Sequence, residues 1–151
     1  MRIDKLTSKF QEALADAQSL ALGKDNAYSQ AEHVLAARLK QEDGPRAQLQ
    51  RAGVNVQGLL ASAESAINRL PHVQGHEQVQ PGPDLVKLLQ STEKEAIKRG
   101  DQFIASELYL LACADAKGTM GDIARENGLT RKSLEAAIDA VRGGQNVDCA
   151  D

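Results

Sequence analysis

Tryptophan is absent, and the rings present are Phe10, Tyr28, Phe103 and Tyr109. Four scattered aromatics offer little for stacking on bases, so single-strand nucleic-acid binding is disfavoured. Cysteine is almost as scarce: Cys113 lies in an apolar run and Cys149 in the polar tail. Their contexts differ, which excludes a disulfide framework and makes a reducing cytoplasm the natural setting. No apolar stretch approaches the roughly 20 residues that cross a bilayer. Met1 to Lys5 leads into an amphipathic pattern rather than a signal-type run. Positive charge is not in excess either: 18 Lys and Arg against 21 Asp and Glu leave a net charge of −3. That balance argues against a polybasic membrane anchor and against an electrostatic footprint on nucleic acid.

Recognisable chemistry is missing as well. Neither a G-x-x-x-x-G-K-[ST] phosphate loop nor a G-x-G-x-x-G turn occurs, and no Ser, Cys or Thr stands in a nucleophile elbow. His33, His72, His76 and Cys113 do not cluster as metal ligands do. His72 and His76 have i, i+4 spacing but flank Gly75 in a Pro- and Gly-rich stretch, where solvated side chains are expected. Cys113, beside Leu110 and Leu111, has the context of a small buried hydrophobe. The expectation is therefore a chain without catalytic residues, cofactor or metal.

What is present is helical. Of the 151 residues, 42% are apolar and 26% charged, as in one ordinary globular domain. Ala, Leu, Gln, Glu and Lys dominate, whereas alternating β-branched runs are missing. Ile3, Leu6, Phe10, Leu14, Ala17 and Ala21 form a stripe at helical spacing, with Thr7 as its N-cap and Gly23 as its stop. Further helices are predicted over 30–40, 46–52 and 56–70, the last ended by Pro71. Residues 71–82 then have the composition of a linker. Pro83 opens a helix that Gly100 closes, and more follow over 106–116, 120–127 and 131–142. Thr119 and Asp122 have capping-box spacing.

The two halves match. Glu32 and Glu107, Leu35 and Leu110, Gly53 and Gly128, and Leu59 and Leu134 each differ by 75 positions. Gly23 and Gly100 differ by 77, which predicts a loop-length difference of two residues. The predicted fold is all-α: two four-helix repeats, about 4–70 and 83–144, packed around a pseudo-twofold axis because half the chain alone would bury too little. Within the second repeat, residues 120–134 have a helix-turn-helix pattern that would send Thr130, Arg131, Lys132 and Ser133 into a major groove. The matching stretch 52–58 of the first repeat carries no basic residue, which favours two short helices and a glycine turn.

The run from Met1 to Gly23, and the run Lys98-Arg99-Gly100-Asp101-Gln102-Phe103-Ile104-Ala105-Ser106-Glu107-Leu108, resemble the N-terminal domain of the ClpB disaggregase family. Asn68-Arg69-Leu70-Pro71, Val79-Gln80-Pro81 and Arg142-Gly143-Gly144 fit the same pattern, so the resemblance covers residues 1–147 in order. It implies a Clp N-domain fold, with residues 148–151 starting a linker to ATPase modules that lie outside this sequence. It implies a monomeric domain that binds unfolded or aggregated polypeptide and passes it to a hexameric ATPase ring. ATP would act only in those other modules, and the whole protein would cooperate with the DnaK system in the stress response. The resemblance implicates Thr7, Asp101 and Glu107 in chaperone activity, and Leu89, Leu108 and Tyr109 in a client groove between the second half's first two helices. Ser91 and Glu95 stand where relatives are often apolar. Each of Thr7, Asp101 and Glu107 also has a structural reading: helix cap, partner of nearby backbone, and first-turn carboxylate. The related N-domains of ClpA and ClpC, which dock adaptor proteins, supply the alternative function; a helix-turn-helix DNA-binding regulator is a third.

Overall fold

A computed structural model describes residues 1–75 and 78–151. Eight α-helices are present among them: α1 Ser8–Gly23, α2 Ala31–Lys40, α3 Arg46–Arg51, α4 Val56–Asn68, α5 Pro83–Arg99, α6 Ser106–Asp115, α7 Thr119–Glu126 and α8 Arg131–Arg142. Two dipeptides, β1 Tyr28–Ser29 and β2 Gln80–Pro81, pair in parallel. None of these helices is long and apolar enough to cross a membrane.

The architecture follows from which helices are apolar on one face and which all round. On α1 the buried residues are Phe10, Ala13, Ala17 and Ala21, a narrow stripe of mostly small side chains that lets α1 lie close against α2. By contrast α6 buries every residue from Leu108 to Ala114, and α2 buries almost as much. A helix apolar on all sides must be central. Accordingly α2 and α6 meet in the middle of the molecule, with α1 and α4 against α2 and with α5, α7 and α8 against α6.

Contacts between the halves are reciprocal, as a twofold relation requires. Helix α4 of the first half packs on α7 of the second, and α8 of the second packs on α3 of the first. Leu6 bridges Ile104 while Ser29 pairs with Pro81, and these two pairs interconvert on shifting by 75 residues. The Thr7 amide donates to the Ile104 carbonyl (3.1 Å), and the matching Gly82 amide donates to Ser29 (2.9 Å). At the other end of the axis Gly53 and Gly128 touch. A Cβ on residue 128, which has φ +81°, would stand 3.0 Å from the Gly53 carbonyl oxygen. Glycine is required there by conformation and by space.

Four local expectations change. Gly23 is the last residue of α1 rather than its left-handed stop; Asp25 takes that role at φ 58°, opposite Gly100 at φ 76°. Asp tolerates this region through its short polar side chain. The offset is therefore 75 here too, and no two-residue difference exists. The N-cap of α7 is Gly118, with no side-chain bond, so Thr119 and Asp122 form no capping box; the boxes are Gln30 with His33 and Thr130 with Ser133. Ile3 lies in a 3₁₀ turn before α1 and is 59% exposed, off the core stripe. Finally, the segment joining the halves is docked: Val79 is buried, Gln80 and Pro81 pair with β1, and the Val73 amide donates to Asp25 (2.7 Å). His76 lies outside the described residues.

Candidate functional site

In both halves the residue after the left-handed turn is polar and ties down the chain that follows the fourth helix. Asn26, buried, donates to the Pro71 carbonyl and bonds His33. Its counterpart Asp101 has a fully enclosed carboxylate that accepts the Val147 amide at 3.0 Å. Arg142 then bridges Asp101 (2.9 and 3.1 Å) and Glu107 (3.0 and 3.2 Å) with its guanidinium fork. Burial alone would lower the Arg142 pKa, but hydrogen bonds and charge from the two carboxylates hold it above its usual value. Beyond the clamp the tail runs on, with Val147 accepting from the Gln102 and Phe103 amides and Ala150 accepting from Ser8. Sequence reasoning missed Arg142 as a partner of Asp101 and Glu107; its signals were its place in the family-like Arg142-Gly143-Gly144 run and in the last turn of α8.

Thr7, Asp101 and Glu107 thus occupy one region, where the tail crosses the start of α1. Thr7 Oγ1 caps α1 by accepting from the Phe10 amide at 3.3 Å. Losing an N-cap of this kind costs about 1 kcal/mol. Thr7→Ala is accordingly expected to lower Tm by roughly 2–4 °C, measured by thermal denaturation.

The three apolar candidates separate. Leu108 is fully buried, and so is Tyr109, whose ring packs 5.9 Å from Phe10 and whose hydroxyl donates to Ala31 (3.0 Å). Both belong to the core because α6 is enclosed on every side. Leu89 alone reaches a groove, and that groove lies between α5 and α1 rather than between α5 and α6. It encloses about 590 Å³, and its walls include Leu14, Leu85, Val86 and Leu89, with Met1 and Ile3 at its rim. No charged side chain lines it, although charged residues make up 26% of the chain; the one charge among its lining residues is the N-terminal ammonium of Met1 at the rim. Val86 is 41% exposed and Met1 48%, so apolar surface stands open to water here. Leu14 was legible as a candidate: it is the 75-residue counterpart of Leu89.

The cleft on the α6 side of α5 is of another kind. Glu95, on its edge, pairs with Arg99 and Arg131, and Arg131 also holds Asp115 and Glu135. These partners hold the Arg131 guanidinium above its usual pKa despite the opposing effect of burial. Leu88, Ala112 and Ala116 reach this cleft, but Lys94, Glu95, Lys98, Asp115 and Arg131 surround them with charge, which suits an apolar client poorly. The same bonds engage the side chain that a helix-turn-helix reading would aim at DNA, and carboxylates surround it. A larger hollow of about 610 Å³ between α2, α4 and α5 is edged by Glu32, Arg69, Asp84 and Lys87, and is likewise unsuited to an apolar segment.

Two buried titratable groups are structural. Burial pushes the Cys113 thiol up to about 12, which makes it inert at neutral pH. His33 is fully buried; its Nδ1 accepts from the Gln30 amide (2.8 Å), so the proton is on Nε2, facing the Asn26 oxygen at 2.9 Å. Among the described residues no cluster of three His, Cys, Asp or Glu side chains could hold a metal ion.

A family model described as the Clp repeat (R) N-terminal domain matches residues 5–127. The chain belongs to the Clp N-terminal domain family. Curated relatives of this Clp N-domain include chaperone protein ClpB of Vibrio cholerae, 43% identical over 98% of the chain, and that of Dichelobacter nodosus, 43% identical over 95%. The chain spans only 18% and 17% of the length of those relatives. Among solved structures, the Hsp104 N-terminal domain from Candida albicans superposes with a TM-score of 0.85 at 19% identity, covering 97% of both chains. The N-terminal domain of ClpV1 from E. coli gives 0.80 at 21% identity, covering 97% of this chain and 91% of that one. A ClpV N-domain in complex with a VipB peptide gives 0.69 at 23% identity, covering 95% and 90%. These likenesses establish the fold.

Proposed function

We propose that this Clp N-domain is the client-engaging part of a ClpB-type disaggregase, and that it holds apolar segments of unfolded or aggregated polypeptide in the groove between α1 and α5. The observation that carries this reading is the groove itself: uncharged walls, half-exposed apolar side chains, and a length of open surface that unfolded chains could cover. Unfolded segments offer apolar side chains without fixed geometry, so a groove lined by aliphatic groups suits them better than a precise polar site. The relative bound to a VipB peptide supports the general idea that domains of this fold receive peptides. Binding is weak and consumes no nucleotide; ATP turnover and threading belong to a hexameric ring encoded outside this stretch. Cooperation with the DnaK system belongs to that larger protein, in a reducing cytoplasm that suits two free thiols.

Titration of the labelled domain with an unfolded client, followed by NMR, tests this. Amide shifts are expected at Leu14, Val86 and Leu89, with Leu108 and Tyr109 unmoved. Leu14→Glu is expected to weaken binding by about tenfold, because it places a carboxylate against apolar surface. Shifts that avoid the groove, or full affinity in that variant, would remove the reading.

A further inference from the structure

The client groove lies on the pseudo-twofold axis, and this bears on how it reads a chain. The middle of its lining is made of three pairs of residues 75 positions apart, Leu14 with Leu89, Gln11 with Val86, and Ala15 with Gln90, while Ile3, Gln18, Ser29, Pro81 and Leu85 line it without their counterparts. Each pair places one member on α1 and the other on α5. An axis that exchanges the two walls while the groove stays open to solvent stands normal to the groove floor. Rotation by half a turn about such an axis swaps the two ends of the groove. A segment lying along it meets the same pair of leucines after its N-to-C direction is reversed.

The chemistry of the walls does not restore a direction. Apolar contact is non-directional. No charged side chain lines the groove, and the single charge at its rim, the N-terminal ammonium of Met1, lies in water that screens its pull on one end of a segment. Recognition by strand addition would impose polarity through main-chain hydrogen bonds. Here β1 and β2 are two residues each and already pair with one another, so they leave almost no edge to extend. The unequal pairs, Gln11 against Val86 and Ala15 against Gln90, and the rim residues Met1 and Ile3 tilt the balance between directions without closing either.

Resting on the proposed client-binding role, we infer that the groove accepts an extended, uncharged apolar segment in both chain directions, so that client selection depends on side-chain composition and not on sequence order. Such a receptor suits aggregates, whose exposed segments present themselves in no fixed orientation.

The experiment uses the full 151-residue chain and an unstructured peptide of Leu, Val, Ser and Gly, roughly twelve residues or about 40 Å when extended. A nitroxide is attached at its N-terminus in one sample and at its C-terminus in another. Gln18 marks the end of the groove near Val79, to whose carbonyl it donates (2.9 Å), and Gln90 marks the opposite end. Either label is expected to broaden both amides. The reversed-sequence peptide is expected to bind within about threefold of the original, under 1 kcal/mol by the tenfold-per-1.4 kcal/mol rule. If the unlabelled peptide shifts the groove but each label broadens one end only, or the reversed peptide loses tenfold, two-way binding is overturned while client docking survives. If the peptide leaves the groove amides unshifted, the docking role fails and this inference with it.

Discussion

Arg142→Ala is expected to be among the most damaging single changes in this domain, lowering stability by about 3–5 kcal/mol. The guanidinium is 10% exposed and neutralises a carboxylate, that of Asp101, which is 0% exposed. Truncating it strands that charge away from water, and the loss also frees the tail that Asp101 holds through the Val147 amide. A domain of this size should lose on the order of 10 °C in Tm. The clamp also sets an order among its members. Asp101→Asn keeps an acceptor for Val147 and leaves Arg142 paired with Glu107, so it should cost less. Glu107→Gln should cost least, because that side chain is 33% exposed and solvent compensates. Melting curves of the three variants check the order. Equal losses, or a stable Arg142→Ala protein, would show that the cluster does not hold the tail. Hydrogen exchange at Val147, Gln102 and Phe103 reads tail release directly.

The second large effect is on acid stability. Burial, aided by the charge of Lys24, lowers the His33 pKa from 6.5 to about 4. The folded state therefore keeps His33 neutral while the unfolded chain takes up a proton as pH falls below about 6.5. Stability associated with His33 is complete above that value and is lost as pH falls toward 4, where the folded form begins to protonate as well. A separation of this size corresponds to about 3 kcal/mol across the window. Protonation also has a local consequence: a ring protonated on Nδ1 could no longer receive the Gln30 amide, and the capping box of α2 would open. Thermal denaturation between pH 7 and 4 should show a steep fall in Tm for the natural chain and a flatter one for His33→Gln. The difference between the two curves isolates His33 from the other titrating groups. Parallel curves would show that the ring is not what makes the fold acid-sensitive.

Helical class, eight helices, the cap at Thr7 and the duplication at 75 residues were all legible along the chain, whereas the caps at Asn55 and Thr130 emerged only from the structure. The reason is that caps and stripes are local: they depend on residues three or four apart. The same locality explains the misreadings. Gly23 was the natural choice for a helix stop by composition, yet Asp25 holds the left-handed position because the chain must turn there to bring Asn26 inward against Pro71. Periodicity also joined Ile3, which lies in the 3₁₀ turn, to a core stripe that begins at Leu6.

Sequence alone thus determined the helices, the repeat and the family pattern of residues 98–108, together with the absence of any nucleotide-binding motif. Tertiary structure decided what those parts do for one another. It enclosed Leu108 and Tyr109, left Leu89 opposite Leu14 with the space between unfilled, and brought Arg142 to partners 41 and 35 residues away. A hydrophobic stripe specifies that a face avoids water, but which face finds a partner depends on how two halves close around their axis. The groove exists because α1 and α5 remain splayed at one end of that axis while α2 and α6 fill its centre, a difference that no spacing along either helix records.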